Sequence, residues 1–295
     1  MHRKGIMDTA IVADSIACIP KEQVENYRIK IIPVNILFNG QVYRDFIDLS
    51  SAQAYEFLEK APEFWKSSAA SSEDYLEAYQ ELSQRAKSIL VVTISSKLSM
   101  FYNSAQFARE VFGEESPQTD IEVIDSQTVA AAEGLIALAA ARTAAENRPF
   151  DEIVALARKV KDRVKFIGLL ETIRYVYRTG RMPKVASEIG SMFSIKPVLT
   201  GSNGSINFAA AARTKQSGVE KMLKIMKNHI GGSEPARVAV MHADALEEAR
   251  KLKERIASGF NCVEIFVTDF SPIMGYATGR GTLALAYYKE DSFAQ

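Results

Sequence analysis

The sequence contains only two cysteines and three histidines among its 295 residues. Cys18 and Cys262 lie far apart and match neither a metal-ligand spacing nor a disulfide-rich pattern, which is typical of a reducing compartment. No apolar run approaches the length of a membrane span, so we expect no integral membrane segment. The basic first residues run into a predicted strand rather than an apolar secretion segment. We therefore expect a cytoplasmic protein.

An excess of charge of either sign is also missing. Lysine plus arginine and aspartate plus glutamate both number 36, so no overall field attracts nucleic acid or an anionic membrane. The apolar content of 47% is that of an ordinary globular chain with room for one or two cores. We therefore expect no nucleic-acid partner.

The common catalytic signatures are absent as well. The chain has no Gly-x-Ser-x-Gly elbow, no His-Glu-x-x-His helix and no phosphate-binding Gly-x-x-x-x-Gly-Lys loop. We therefore predict a binding protein with no metal and no cofactor, rather than an enzyme. The alternative is a serine-dependent hydrolase or transferase, since a triad using His242 with Asp125 or Asp244 is defined in space and not in sequence.

Short β-branched runs alternate with long helical stretches, which predicts an α/β fold with a largely parallel sheet. We predict strands at residues 10–13, 29–37, 88–94, 121–124, 164–169, 195–200, 237–241, 262–268 and 283–288. We predict helices at residues 51–60, 74–87, 104–112, 129–145, 150–162, 219–229 and 245–257. Helical periodicity is interrupted at residues 147–149, and we divide the chain nearby, into an N-terminal domain 1–160 and a C-terminal domain 161–295.

Hydroxyl side chains follow the predicted strand at 88–94. Ser95, Ser96 and Ser99 come directly after it, and a predicted helix begins a few residues later. Ligands bind at the carboxyl ends of strands in open α/β sheets, and a helix N-terminus favours an anion. The stretch therefore predicts a receptor for a small acidic group, although serines also cap helices without binding anything.

Two other predicted strands end in the dipeptide Asp-Ser, at Asp14-Ser15 and at Asp125-Ser126. Each pair places a carboxylate and a hydroxyl at a sheet edge, which is the usual location of a binding site. Aspartate and serine also end strands by accepting hydrogen bonds from backbone N–H groups. We favour this structural role for both pairs.

A series of short segments carries a further signal: Asp14-Ser15 and residues 66–71, 94–99, 123–126, 170–172, 179–181, 196–199, 213–215, 240–243 and 275–279. Their order and spacing resemble the DegV family of bacterial proteins over residues 11–288. The resemblance implies two domains, a mostly parallel N-terminal α/β domain and a C-terminal α/β domain, with a ligand slot between them. It also implies a long-chain fatty acid as the ligand. Some members present that acid to a separate fatty-acid kinase that makes an acyl phosphate for phospholipid metabolism.

The resemblance also implies roles for individual residues. It maps the fatty-acid carboxylate most simply to Ser67 and Ser96, with Ser95 as the second choice for the latter position. Ser68 is a further donor of a charge-assisted hydrogen bond. For the acyl chain we predict an apolar lining, although such residues are more often plain core. The candidates are Phe101, Ile189, Met192, Phe193, Ile195 and Leu283.

The chain departs from the family pattern at several positions. Ala277 stands where members commonly carry a carboxylate-binding histidine, and Arg280 stands where proline is usual. Arg280 is therefore a candidate charged donor to the headgroup, with a solvent-exposed role as the alternative. Residues 69–70 and 100–101 also differ from the family pattern. These changes leave open a different amphiphilic anion as the ligand.

A basic stretch at residues 174–184 is the remaining candidate for a functional surface. Most such charge runs are solvated helix ends, and RNA binding is the more distant alternative. The resemblance maps its Arg181 to the kinase-facing surface. Arg213 and Lys215 are further candidates for that docking face.

Overall fold

The computed structural model describes residues 7–60, 65–180 and 195–290. The first part of the chain contains β1 (Met7–Asp14), a 3-10 turn (Ser15–Ala17), α1 (Lys21–Tyr27), β2 (Lys30–Ile32), β3 (Asn35–Phe38), β4 (Gln41–Arg44), α2 (Ser51–Lys60), β5 (Trp65–Ser68), α3 (Ser72–Ser83), β6 (Ala86–Thr93), α4 (Phe101–Glu115), β7 (Asp120–Asp125) and α5 (Ala131–Ala145).

The second part contains α6 (Phe150–Arg163), β8 (Lys165–Leu169), α7 (Arg174–Thr179), β9 (Lys196–Ser202), β10 (Ser205–Ala212), α8 (Lys215–Ile230), β11 (Ala236–His242), α9 (Leu246–Gly259), β12 (Cys262–Asp269), α10 (Pro272–Thr278) and β13 (Leu283–Lys289). The seven predicted helices are confirmed, with ends that shift by a few residues. Helices α1, α7 and α10 are short and were not predicted. Among the described residues, no helix combines the length and apolarity needed to cross a membrane.

The first sheet has the strand order β2-β1-β6-β7, and all its pairs are parallel. Its central strand β6 is buried at every position but one, as expected for a strand covered on both faces. Parallel pairing places the carboxyl ends of β1 and β6 side by side. Asp14 and the residues that follow Thr93 therefore meet at one edge of the sheet.

The second sheet has the order β10-β9-β8-β13-β11-β12, and only its β11-β12 pair is parallel. The parallel arrangement predicted from the alternating pattern therefore holds throughout the first sheet but not in the second. Strand β10 was not predicted, although the dipeptide Asn203-Gly204 before it was a signal in the sequence. In the structure both residues have positive φ angles, of 49° and 78°. Asn-Gly is a characteristic hairpin turn, because both residues tolerate that conformation.

A third sheet, with the antiparallel order β4-β3-β5, lies beside the first two. The single strand predicted at 29–37 is in fact β2 and β3, separated at Pro33 and Val34. Proline has no N–H group to continue a ladder, so the chain leaves one sheet there and joins another. Trp65 anchors the third sheet by stacking on Tyr276 of α10, with the ring centroids 5.1 Å apart.

Helix α5 lies between the first and second sheets and contacts β1, β6, β11 and β13. Residues 131–141 are all buried, so this part of the helix has no face toward solvent, and Glu133 is its one ionisable residue. The small side chains of its many alanines and of Gly134 allow the helix to pack closely against both sheets. The chain passes from the first sheet to the second between β7 and β8, and the predicted division at residue 160 falls in the last turn of α6. That division stays a prediction.

Candidate functional site

An apolar cavity of about 90 Å³ lies where the three sheets meet. The first and third sheets and their flanking loops contribute Ile16, Val34, Ser67, Ser68, Ala69, Ile94, Leu98, Ser99, Phe101 and Val129. The second sheet and its neighbours contribute Phe166, Gly168, Leu170, Thr179, Leu199, Ile206, Phe270, Ile273, Met274, Tyr276, Ala277, Thr278 and Thr282. No charged side chain is among these described lining residues.

Strand β8 shapes one wall of the cavity. Phe166, Gly168 and Leu170 alternate along the chain and all line the cavity, as the two-residue period of a strand requires. Gly168 has no side chain, and a Cβ built there would lie 3.3 Å from the Phe166 ring. The gap between the two large side chains therefore belongs to the cavity.

Hydroxyl groups are the polar groups of the lining side chains. Ser67 and Ser68 come from β5, and Ser99 comes from the loop after β6. Thr278 and Thr282 also line the cavity, but their Oγ1 atoms donate to the carbonyls of Met274 and Thr278 at 2.8 and 3.0 Å. The hydroxyls of Ser68 and Ser99 make no hydrogen bond within the described part of the chain. The site is therefore suited to a ligand that is mostly apolar and has one hydrogen-bond acceptor.

The structure places Ser95 and Ser96, both predicted to bind a carboxylate, outside the cavity lining. The Ser95 hydroxyl is fully buried and donates to the carbonyl of Gly204 at 2.8 Å. The Ser96 hydroxyl donates to Oδ2 of Asp125 at 2.6 Å. Both hydroxyls thus bond to the protein itself, and neither caps α4, whose N-cap residue is Met100. Asp125 plays the structural role that we favoured for its Asp-Ser pair.

Arg280, the predicted charged donor, lies on the outside of the cavity. Its Nη1 is 2.7 Å from Oε1 of Glu59, and its Nε is 3.3 Å from Oδ2 of Asp244. The guanidinium also lies over the ring of Tyr55, 5.3 Å from the centroid. Two carboxylates and one aromatic face therefore already engage this side chain.

The residues predicted to line the acyl chain are distributed over several places. Phe101 is fully buried and lines the cavity. Leu283 packs in a separate hydrophobic core, together with Ile167 and Leu169 of β8. Ile195 is half-buried and is not among the lining residues. Ile189, Met192 and Phe193 lie outside the described residues.

The predicted docking residues are likewise separated. Arg181 lies outside the described residues, and Arg213 is exposed just before α8. Lys215 is half-buried and pairs with Glu171 and Glu248 at 3.3 and 3.1 Å. Of the two described residues, Arg213 is therefore the more accessible to a partner.

Three carboxyl groups are buried beneath the cavity. Asp14, Asp45 and Glu133 all have no exposed surface. Burial raises the pKa of Asp14 to about 7 and that of Asp45 to about 6. The hydrogen bonds that the two groups accept lower these pKa values, but by less than burial raises them. Burial, and then the charge of Asp14, raise the pKa of Glu133 well above its usual value. Neither Glu133 oxygen has a hydrogen-bond partner among the described residues. Glu133 therefore favours its neutral, protonated form.

This burial predicts a pH dependence of folding stability. Because the pKa of Glu133 is higher in the folded chain than in the unfolded chain, the folded chain holds the proton more tightly, and stability falls as pH rises above about 4.5. Glu133→Gln should flatten that fall by up to about 1.4 kcal/mol per pH unit. Urea denaturation between pH 5 and pH 8 measures the slope. The exposed Glu146 at the end of the same helix offers the control, because Glu146→Gln should keep the wild-type slope. An unchanged slope in Glu133→Gln would contradict the prediction.

The described histidines lie away from the cavity. Nδ1 of His242 is 3.3 Å from Asp269 and borders a separate groove, and Nδ1 of His229 is 2.7 Å from the Tyr287 hydroxyl. A serine-histidine pair is therefore not assembled at the cavity within residues 7–60, 65–180 and 195–290. In the same part of the chain, no cluster of three or more histidine, cysteine or acidic residues could hold a metal ion.

Sequence reasoning missed most of the lining that comes from α10 and its neighbours, including Phe270, Ile273 and Met274. The segment 275–279 was noted only for its family pattern. A short apolar run beginning with Ser271 and Pro272 was the available signal, because proline is favoured in the first turn of a helix.

Comparisons with known proteins agree with this architecture. The model of the DegV family matches residues 8–290. DegV domain-containing protein CPE0304 of Clostridium perfringens is 27% identical over 284 residues, which cover 96% of this chain and 100% of that protein. Protein DegV of Bacillus subtilis is 27% identical over 282 residues, which cover 95% and 99%.

Solved structures share the fold. DegV of Bacillus subtilis, described as a fatty acid binding protein, has a TM-score of 0.86 and 26% identity, and the match covers 96% of this chain and 100% of that chain. A DegV family protein from Thermus thermophilus, described by its fatty acid binding, has a TM-score of 0.89 at 23% identity, with the same coverage. The family match extends over nearly the whole chain and the three-sheet fold is shared, so this protein belongs to the DegV family.

Proposed function

We propose that this protein binds one long-chain fatty acid in the cavity between its sheets. The observation that carries the proposal is the cavity itself, which is apolar and lined by hydroxyls but by no charged side chain among the described residues. Related proteins of the same fold are fatty-acid-binding proteins, including one from Bacillus subtilis. The fold and the chemistry of the lining thus support the same ligand.

The apolar lining would provide most of the binding free energy. Each buried methylene group contributes about 0.8 kcal/mol, so a long tail outweighs a single polar headgroup. A carboxylate held by neutral hydroxyl donors adds charge-assisted hydrogen bonds, which are roughly twice as strong as neutral ones. The headgroup site would then mainly fix the orientation of the acid.

For the carboxylate we propose the hydroxyls of Ser67, Ser68 and Ser99 as donors, since all three residues line the cavity. Ser95 would contribute by holding the loop in place. Its carbonyl accepts hydrogen bonds from the N–H groups of Leu98 and Ser99 at 2.9 and 3.1 Å. Ser96 would hold the same loop through Asp125. The serine-rich segment would thus combine one binding residue with two positioning residues.

Mass spectrometry of lipids extracted from the protein, purified without detergent, tests this function. We expect one fatty acid per chain, absent from a blank purification. Without a bound lipid, added free acids should raise the melting temperature by mass action. Finding no fatty acid and no thermal shift would contradict the proposal and would favour a different amphiphilic anion, in line with the alanine at position 277.

We further propose that the bound acid is presented to a separate fatty-acid kinase that phosphorylates its carboxylate. Arg213 is exposed, and no ion pair of it is found among the described residues, so it can meet an acidic surface. With the kinase and ATP, the loaded protein should yield an acyl phosphate. Arg213→Glu should lower that yield without changing the affinity for the acid. Equal loss of both would argue against a docking role.

Ala277 offers a gain-of-function prediction. It lines the cavity at the end of α10, at the position where the family resemblance implies a carboxylate-binding histidine. Ala277→His should add one donor to the carboxylate and tighten binding by about 1.5 kcal/mol, or roughly tenfold. The gain should be larger at pH 6 than at pH 8, because the imidazolium form binds an anion more strongly.

Titration with a fluorescent fatty acid measures the effect of this substitution. Ala277→Leu is the matched control, since leucine adds bulk without a donor and should not tighten binding. Similar tightening by both variants would show that bulk, and not a hydrogen bond, is responsible.

A further inference from the structure

Two buried carboxylates organise the cavity wall without touching its lumen. Oδ1 of Asp14 accepts a hydrogen bond from the N–H of Ile16 at 3.0 Å, and its Oδ2 accepts one from the N–H of Ile94 at 2.8 Å. Both isoleucines line the cavity. Asp14 thus joins the residue after β1 to the residue after β6.

Asp45 makes a second connection of the same kind. Its Oδ1 accepts from the N–H of Ile273 at 3.2 Å, and its Oδ2 accepts from the Ser15 hydroxyl at 2.6 Å. The Ser15 oxygen in turn accepts from the N–H of Val34 at 3.1 Å. Ile273 and Val34 also line the cavity, so Asp45 joins α10 to the start of the third sheet.

These contacts are costly to maintain, because no lysine or arginine partner is found for either carboxylate within the described ranges. Burying an ionisable group without an opposite charge disfavours its charged form. An apolar residue would avoid that penalty but could not accept two hydrogen bonds. The two buried carboxylates are therefore explained by the backbone N–H and hydroxyl groups that they hold in place.

All four residues that these carboxylates hold have β-branched side chains. Such side chains are restricted to few χ1 rotamers, so fixing the backbone N–H also fixes where the methyl groups point. The four come from four separate segments of the chain, which these hydrogen bonds join at the cavity wall. A wall of this kind presents a defined contour to the ligand instead of one that adapts.

We propose that Asp14 and Asp45, the latter acting through Ser15, are positioning residues that set which shape of acyl chain the cavity accepts. This inference rests on the proposed fatty-acid function. The two carboxylates would not contact the ligand. They would hold Ile16, Ile94, Val34 and Ile273 in one arrangement that distinguishes a straight tail from a bent one.

The test compares the dissociation constants of stearic and oleic acids, which share a chain length and differ by one cis double bond. The wild-type protein should prefer one acid, and Asp45→Leu should reduce that preference by about fourfold, which corresponds to about one buried methylene group. Asp45→Asn should restore the preference, because the amide oxygen still accepts from Ile273 and the amide N–H₂ can donate to Ser15. Asp48→Ala is the matched control, because Asp48 lies in the same turn but is bonded to Arg44 and does not line the cavity.

Ser15→Ala releases only Val34 and provides a milder variant if Asp45→Leu does not fold. It should also reduce the preference. A folded variant that binds both acids more weakly by the same factor would overturn the inference, because a purely stabilising role changes both constants alike. A wild-type protein without a preference would overturn it as well. Absence of binding to either acid by the wild-type protein would instead overturn the proposed function, and the inference with it.

Discussion

Gly168→Leu should weaken the binding of a long-chain fatty acid by roughly 60- to 200-fold while the chain remains folded. Gly168 lines the cavity between Phe166 and Leu170, where the missing side chain leaves a gap in the wall. A leucine there would occupy the space of about three to four methylene groups of the ligand. Each displaced group costs about 0.8 kcal/mol of binding free energy.

Titration of the variants with acids of different length measures this effect. Gly168→Ala should cause a much smaller loss, since its Cβ would meet only side-chain ends, those of Phe166 at 3.3 Å and Leu170 at 3.7 Å. Octanoic acid, whose tail is shorter, should lose less affinity than stearic acid in Gly168→Leu. An equal loss for both acids would point to a general distortion instead of a blocked cavity. Unchanged binding of stearic acid would contradict the location that we propose for the tail.

Gly134→Ala should destabilise the protein by about 1–3 kcal/mol, although alanine is the better helix former. A Cβ at this position of α5 would lie 2.4 Å from the backbone carbonyl oxygen of Ala17 and 3.1 Å from Cγ1 of Ile19. The first contact is with backbone, which cannot rotate away. Helix α5 or the 3-10 turn that follows β1 would have to move.

Chemical denaturation measures the change in the free energy of unfolding for this variant and for a second glycine-to-alanine variant as the matched control. Gly113 lies in α4 with nothing within 4 Å of a built Cβ. Gly113→Ala should therefore stabilise the protein by about 0.5–1 kcal/mol. The two substitutions are chemically identical, so their opposite signs would isolate the close packing of α5. A stabilising Gly134→Ala would contradict this account.

The change at Gly134 should also affect the ligand. The turn that contains Ala17 begins with Ser15 and Ile16, which belong to the cavity wall and its hydrogen-bonded support. Displacement of that turn would move the wall, and fatty-acid binding should weaken together with stability. Helix packing and ligand binding are therefore connected through a single turn.

The α/β class and most of the elements could be predicted from the sequence, because burial leaves a clear pattern in it. Strands such as β6 and β11 are buried at nearly every position, and α3 begins with a capping serine and an acidic first turn. The strands that were missed are β4, β5 and β10. They are short, partly exposed or adjacent to a hairpin, so their side chains carry little of that pattern.

The candidate site could be predicted in part. The hydroxyl-rich segments after β6 and in β5 are visible in the sequence, and Ser67, Ser68, Ser99 and Phe101 do line the cavity. The sequence does not distinguish Ser96 from Ser99, because the direction of each side chain depends on how the loop turns. That turn is fixed by Asp125, a residue 29 positions further along the chain. The contribution of α10 was missed for a similar reason, since residues adjacent in space are distant in sequence.

By itself, the sequence determined the class of fold, the absence of a strong net charge and the segments that supply hydroxyls, since these depend on composition and local periodicity. The tertiary structure alone decided which of those hydroxyls face the cavity and which bond to the protein. It also decided that Asp14 and Asp45 are buried supports, because their partners come from loops and helices brought together by three separate sheets. Hydrogen bonds between distant segments leave no period in a sequence, so only the folded chain reveals them.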